Sequence, residues 1–184
     1  LRAKVDLTDL TGHLAVFARL DDDEGERGTV TAVPGGWSVV DPRHTGLGRR
    51  LILGADTPAT GDIADWDDRR LRLGIPDSSR DLIPEKSILL DNGFDELGGV
   101  AWDKGCYVGQ EVVSRMQHRS TARRRVVIVS AEQSLPATGT EITVDGKTIG
   151  ALGTVAGTRA LAIVRIDKAG EAQTKGTPIL VGEV

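Results

Sequence analysis

The sequence predicts an α+β protein with two domains, a mixed domain over residues 1–122 and a small antiparallel β-barrel over residues 123–184. Three observations support this fold class. Short apolar stretches separated by Gly, Pro and Asp recur along the chain, two longer stretches have the spacing of amphipathic helices, and the pattern becomes purely strand-like after residue 125. With 184 residues and 39% hydrophobic composition, the chain is long enough to bury a core.

The first domain begins with four strand patterns. They cover residues 13–20, 29–33, 37–40 and 50–53. The acidic run at residues 21–26 is short, polar and contains glycine, which is typical of a solvated hairpin loop. Pro34-Gly35-Gly36 has the composition of a turn. Strands this short and this close in sequence predict an antiparallel sheet.

Two segments of the first domain have helical spacing. In residues 62–73, Trp66 and its apolar neighbours recur at helical intervals, and Gly74-Ile75-Pro76 supplies a stop. A second amphipathic helix is predicted over residues 110–118, with Gly109 at its start. The segment between the two helices is predicted to be loop with one short helical turn.

The second domain consists of strand patterns alone. They cover residues 126–129, 141–144, 147–154 and 160–166. Asp145-Gly146 predicts a tight hairpin, because both central residues of such a turn need positive φ. This pattern favours a small β-barrel or sandwich, with a domain boundary near residues 121–125.

Composition limits the partners of the chain. A formal net charge of −4, with both signs mixed along the sequence, makes nucleic acid an unlikely partner. No apolar run is long enough to cross a bilayer and no signal-peptide pattern is present, so we expect no membrane partner and a cytoplasmic location. The single cysteine fits the same reducing compartment.

The single cysteine and the scattered histidines also limit metal chemistry. An iron-sulfur cluster is normally held by four thiolates, and this sequence has one cysteine. His13, His44 and His118 are far apart and form no metal-ligand pair. We therefore expect no stably bound metal.

The most informative segment is residues 104–111, KGCYVGQE. Gly105 and Gly109 allow a sharp turn around Cys106, and a helix beginning near Gly109 would point its positive end toward the sulfur. Lys104 lies two residues before the cysteine, and Arg115, His118 and Arg119 follow it, so positive charge favours a thiolate. The alternative is that Cys106 is an inert, buried small hydrophobe, as lone cysteines more often are.

Residues 104–111 resemble the hallmark segment of the YgfZ family, and Gly74-Ile75-Pro76 and Ile83-Pro84 fall in that family's order. The resemblance implies a T-protein-like folate-binding domain, here partial, followed by a C-terminal barrel. It also implies tetrahydrofolate as cofactor, a role in iron-sulfur cluster assembly or repair, and iron-sulfur proteins or cluster-assembly factors as partners.

The resemblance also assigns site residues. The residues implied for chemistry are Cys106, Lys104, Tyr107 and Arg119. The residues implied for folate binding are Trp66, Gly105, Gly109, Gln110 and Glu111. The alternative role for Trp66 is a core anchor of its helix, and the odds of the two roles are even.

The chain departs from the family at its start. Residues 1–5 resemble the family's mid-domain junction between a helix and a strand, so we expect the missing N-terminal part of the folate cavity to come from another segment or a separate chain. Ser120 replaces a usual glycine, and the stretch after Lys86 is longer than usual. Neither difference affects the cysteine segment.

Three functions follow as hypotheses. The first is a folate-binding accessory factor for iron-sulfur proteins, in which Cys106 is a transient ligand or nucleophile. The second is a folate-dependent aminomethyltransferase like the T-protein, which would not need the cysteine. The third is a module associated with tRNA modification that uses residues 123–125, three consecutive arginines. The same arginines could instead bind a folate carboxylate or form a solvated loop.

Overall fold

The computed structural model describes residues 4–21, 25–119 and 123–182, without the side chain of Arg119. Its compact units are Leu1–Asp62 and Ile63–Val184. The domain boundary predicted between residues 122 and 123 lies inside the second unit and stays a prediction. The first three residues of the predicted helix-to-strand junction, the centre of the acidic run and Ser120 lie outside the described residues.

The first unit contains a four-stranded antiparallel sheet. Its strands are β1 (Leu14–Arg19), β2 (Val30–Val33), β3 (Gly36–Val40) and β4 (Arg49–Gly54), in the order β1-β4-β3-β2. Each end of these four strands lies within one residue of the predicted end. A Cβ at Gly36 would lie 1.9 Å from the Ile52 carbonyl oxygen, so only glycine fits where β3 approaches β4.

A buried carboxylate ties the loop after β3 to β4. Asp41 is fully buried and accepts hydrogen bonds from Arg43 Nη2 at 2.9 Å and Arg50 Nε at 2.8 Å. Burial acts to raise the pKa of Asp41, but the bonds from the two arginines outweigh it and hold that pKa below its usual value. The ionised form of Asp41 is therefore part of the folded first unit.

The second unit contains a five-stranded antiparallel sheet with three helices. The helices are α1 (Ile63–Arg72), α2 (Gln110–Arg119) and α3 (Ile166–Lys175). The strands are β5 (Arg124–Ser130), β6 (Glu141–Val144), β7 (Lys147–Ala156), β8 (Arg159–Arg165) and β9 (Ile179–Val181), in the order β5-β8-β7-β6-β9. The two predicted helices are confirmed, and the predicted short helical turn is a 3-10 turn at Leu90–Asn92.

The sheet of the second unit differs from the predicted closed barrel. Within the described residues, β5 and β9 form its two edges and do not pair with each other. β9 has only three residues, and its described ladder runs to β6 alone. The predicted antiparallel arrangement is confirmed, whereas closure of the sheet is not seen among the described strands.

The hairpin between β6 and β7 confirms the turn prediction. Asp145 has φ +49° and Gly146 has φ +70°, the positive values that such a turn requires. The core beneath this hairpin is small and apolar. It consists of Ile142, Ile149, Leu152, Ala160, Ala162 and Val164.

Helix α3 was not predicted. Its sequence has Gly170 in the middle and only small apolar residues after Ile166, so its apolar stripe is weak. Ala169 and Ala172 nevertheless pack it against the sheet, and Gly176 ends it with φ +67°. The helix is stabilised by tertiary packing that its sequence does not reveal.

A buried ion pair and its hydrogen bonds join α1, the loop after it and β7. Arg70 is 1% exposed, and its Nη1 donates to Asp81 Oδ2 at 2.9 Å while Nη2 donates to Thr154 Oγ1 at 2.7 Å. Asp81 in turn accepts hydrogen bonds from the Thr154 N–H at 2.6 Å and Oγ1 at 2.8 Å. We call Arg70, Asp81 and Thr154 the Arg70 network. Arg70 and Thr154 are 84 residues apart in sequence, and the three side chains satisfy each other's buried polar groups.

The loop that carries Asp81 begins with a second bonded carboxylate, Asp77. Its Oδ1 accepts from Ser79 N–H at 2.8 Å and Oγ at 2.6 Å, and its Oδ2 accepts from Arg80 Nη2 at 3.0 Å. Partial burial acts to raise the pKa of Asp77, but the hydrogen bonds from Ser79 and Arg80 prevail and lower it to about 2.

Replacing Arg70 should strongly destabilise the second unit. We expect Arg70→Met to lower the free energy of unfolding by about 3–5 kcal/mol, because Asp81 would remain buried without its counter-charge. Urea denaturation followed by circular dichroism measures the change. Arg72→Met is the matched control on the same helix, where an exposed pair with Asp68 is lost. Equal effects of the two substitutions would contradict a structural role for the Arg70 network.

The Asp77 turn predicts a pH dependence of stability. Because the folded-state pKa of about 2 lies below the ordinary 3.8, the contribution of Asp77 is present above pH 4 and is lost as pH falls toward 2. Asp77→Asn should therefore remove about 2 kcal/mol of the stability difference between pH 5 and pH 2. Urea unfolding at a series of pH values tests this, with Asp103→Asn as the control. If the free energy of unfolding of Asp77→Asn fell between pH 5 and pH 2 by as much as that of the unmodified protein, the prediction would be refuted.

Candidate functional site

The cysteine segment, residues 104–111, is an irregular loop that runs into α2. The Gln110 N–H donates to the Tyr107 carbonyl at 3.2 Å, and the Val113 N–H donates to the Gly109 carbonyl at 3.5 Å, where the helix begins. Gly109 has φ +89°, which favours glycine at this position. Helix α2 therefore starts where the sequence predicts, and Cys106 lies four residues before it.

Cys106 is exposed. The alternative that this cysteine is buried is therefore wrong, whereas its reactivity stays a prediction. Its neighbour Tyr107 is half-buried, and the Lys104 Nζ lies 4.6 Å from the centre of the Tyr107 ring, within range of a cation–π interaction. The aromatic ring thus positions the ammonium group of Lys104 within the cysteine segment.

The charges on α2 are distributed differently from the expectation. Arg115 forms an exposed ion pair with Glu111, so these two side chains largely neutralise each other. His118 is exposed, and the side chain of Arg119 lies outside the described residues. Lys104, by contrast, contacts the ring of Tyr107, the residue that follows Cys106.

The residues predicted to bind folate are not brought together by the cavity that we find. This cavity has a volume of about 560 Å³, lies in the second unit, and is lined by neither Trp66 nor any residue of the cysteine segment. Trp66 is half-buried on α1, which is compatible with both of its predicted roles. Gly105, Gly109 and Glu111 are exposed and Gln110 is half-buried. The cavity therefore lends no support to folate binding at these residues.

The cavity is a feature that sequence reasoning missed. One wall is the loop from Pro76 to Asn92, and the other is formed by β5, β7 and β8. Its lining includes Asp91, Asn92 and Arg124. Only the three consecutive arginines gave any signal, because nothing in the sequence shows that the loop and the sheet face each other.

Residues 123–125 have three different environments. Arg125 binds Asp95 through two hydrogen bonds of 3.0 and 3.2 Å and also donates to the Leu90 carbonyl, so it is structural. Arg123 is exposed, and Arg124 is exposed at the cavity. The predicted solvated loop therefore describes Arg123, because Arg124 and Arg125 belong to β5.

Two further observations concern metals and membranes. Among residues 4–21, 25–119 and 123–182, no group of three His, Cys, Asp or Glu side chains could hold a metal ion. In the same part of the chain, no helix has the length and apolar character needed to cross a bilayer.

Comparison with known proteins gives a family model and several relatives. Residues 123–184 match the model described as the CAF17, C-terminal beta-barrel domain. The chain is 32% identical over 139 residues to the human iron-sulfur cluster assembly factor IBA57, mitochondrial, covering 70% of this chain and 39% of that protein. It is 37% identical over 105 residues to the mouse factor of the same name, covering 54% of this chain and 29% of that protein. It is 32% identical over 139 residues to the Neurospora crassa homolog, covering 71% of this chain and 29% of that protein.

These matches bear on the predicted family and function. The three relatives are named for iron-sulfur cluster assembly, the role that the resemblance implied, and they carry the name IBA57, not YgfZ. Their names mention neither folate nor a thiol. The chain spans less than two fifths of the length of each.

Proposed function

We propose that this chain acts in iron-sulfur cluster assembly, as the IBA57 proteins it resembles are named to do, and that it contacts iron through Cys106. The observation that carries the proposal is the exposure of this thiol in a segment, residues 104–111, that holds it just before a helix. The similarity to assembly factors extends over 139 residues, so it is much longer than this segment.

The proposed chemistry is coordination without a redox change. The Cys106 thiol loses its proton, and the resulting thiolate forms one sulfur–iron bond, which breaks again when the cluster moves on. A cluster normally needs four such ligands, and the chain supplies one cysteine. The remaining ligands belong to a second protein, so the cluster is cargo that Cys106 contacts transiently.

Lys104 has a supporting role in this proposal. The ammonium group above the Tyr107 ring belongs to a residue only two positions before Cys106 in sequence. In this proposal it attracts the negative charge of an approaching cluster. Lys104 therefore favours the encounter, and Tyr107 positions it.

The surface around Cys106 suits a protein partner. Trp102, Val108 and Val112 are 44%, 103% and 53% exposed and flank the cysteine in sequence. Apolar side chains exposed next to a reactive group are typical of a protein contact surface. We propose that an iron-sulfur assembly protein binds here and supplies the other cluster ligands.

Tetrahydrofolate and the cellular compartment also remain proposals. Folate is proposed on the resemblance and on the half-buried indole of Trp66, a surface on which a pterin could stack. The cytoplasmic location rests on the sequence alone, whereas the relatives are named as mitochondrial proteins.

Replacing Cys106 tests the main proposal. In cells that lack the native protein, we expect Cys106→Ser to reduce the activity of dependent iron-sulfur enzymes to the level of cells without it, because a serine hydroxyl is a poor iron ligand. Asp103→Asn in the same loop is the matched control and should retain full activity. Thermal unfolding of both variants shows that folding is unaffected. Full activity of Cys106→Ser would eliminate the thiol from the mechanism.

Tryptophan fluorescence tests the folate proposal. Tetrahydrofolate should quench the fluorescence of the protein, and Trp66→Phe should remove most of that quench, because the pterin would stack on the Trp66 indole. Trp102→Phe is the control and should retain the quench. A quench that is absent in the unmodified protein, or that survives in Trp66→Phe, would remove Trp66 from the folate site.

A further inference from the structure

The cavity of the second unit has the size of a small-molecule site. Its volume of about 560 Å³ lies within the usual range of ligand pockets. Apolar side chains from both walls line it, among them Ile83 and Ile88 from the loop and Val126 and Ile149 from the sheet. Ile83 is 59% exposed, so apolar surface at the cavity is open to a ligand.

Asn92 is held by a buried hydrogen bond at the lining of this cavity. The residue is 2% exposed, and its Nδ2 donates to the Ile88 carbonyl at 2.8 Å, which fixes the orientation of the amide. Asn92 Oδ1 is also buried, so a ligand in the cavity does not reach it. Asn92 therefore fixes the chain next to Asp91 and does not itself bind the ligand.

The neighbouring residue, Asp91, offers an acceptor that a ligand can reach. Asp91 also lines the cavity, and among the described contacts no hydrogen bond reaches its carboxylate. Burial raises the pKa of Asp91 even though Arg124 and Arg125 act to lower it. A carboxylate that is desolvated in this way is stabilised by a ligand with two adjacent N–H donors.

The cations at the cavity differ in availability. Arg80 is held by Asp67 and Asp77, whereas Lys86 and Arg124 form no ion pair within the described part of the chain. Glu141 also lines the cavity, and its Oε2 accepts a hydrogen bond from Thr148 Oγ1 at 3.0 Å. Two available cations suit a phosphate, which carries nearly two negative charges.

We propose that the cavity binds a phosphorylated small molecule whose heterocycle presents adjacent N–H donors. The two oxygens of the Asp91 carboxylate receive the N–H groups, and Arg124 and Lys86 bind the phosphate. The apolar side chains of both walls contact the faces of the heterocycle. This site is separate from Cys106 and does not depend on the proposed role in cluster assembly.

GMP is a suitable probe, because its guanine has adjacent N–H donors and its phosphate is anionic. Isothermal titration of the 184-residue chain should give a Kd for GMP of about 1 mM or lower. AMP lacks the adjacent donors and guanosine lacks the phosphate, so each should bind at least about tenfold more weakly.

Substitutions then test each contact. Asp91→Asn should weaken GMP binding about tenfold or more, because one oxygen becomes an N–H donor that opposes the guanine edge. Arg124→Gln should weaken binding of GMP about fivefold while leaving that of guanosine unchanged. Arg123→Gln is the matched control, because Arg123 is exposed but does not line the cavity, and it should change neither affinity.

The outcomes that would overturn the proposal are equally specific. No binding of GMP at about 5 mM would do so, as would GMP binding that both Asp91→Asn and Arg124→Gln leave intact. Asn92 is buried and Asn92→Leu could disturb folding, so the decision rests on the less buried Asp91 and Arg124. Circular dichroism of each variant confirms that it is folded.

Discussion

The second unit depends on the Arg70 network. A guanidinium on α1, a carboxylate in the following loop and a threonine on β7 satisfy one another in a place that excludes water. Burial of any one of them alone would be unfavourable, so the three elements must come together as a set. Gly153 shows how tight this place is, since a Cβ there would lie 2.6 Å from Asp81 Oδ1. The network therefore sets the distance between the loop and the sheet.

The loop that leaves Asp81 is fixed again further along the chain. Arg125 on β5 holds Asp95 and the Leu90 carbonyl, and Val113 anchors α2 with 6% exposure. Asp91 and Asn92, at the cavity, lie between Asp81 and Asp95. Cys106 lies between Asp95 and Val113. Both candidate sites thus lie in connections between longer elements that are held at each end by partly or fully buried groups, an arrangement typical of binding loops on a rigid scaffold.

Local patterns predicted much of this structure, and non-local contacts explain what they missed. The strands of the first unit, α1, α2 and the hairpin at Asp145-Gly146 follow from spacing and turn chemistry within a few residues. Helix α3 was missed because its packing against the sheet outweighs a weak apolar stripe. The ion pair between Arg70 and Asp81 and the cavity join residues that are far apart in sequence. The exposure of Cys106 was indicated by its glycines, but its chemistry is not determined by them.

The exposure of a single thiol distinguishes transfer of a cluster from storage. A storage site surrounds its cluster with several ligands from one chain, which slows dissociation. A transfer site gains from having few, because each sulfur–iron bond that must break adds to the barrier. In the role that we propose, Cys106 offers one such bond, and Trp102, Val108 and Val112, which flank it in sequence, offer exposed apolar surface to a partner. That proposed role is transfer of a cluster and not its retention.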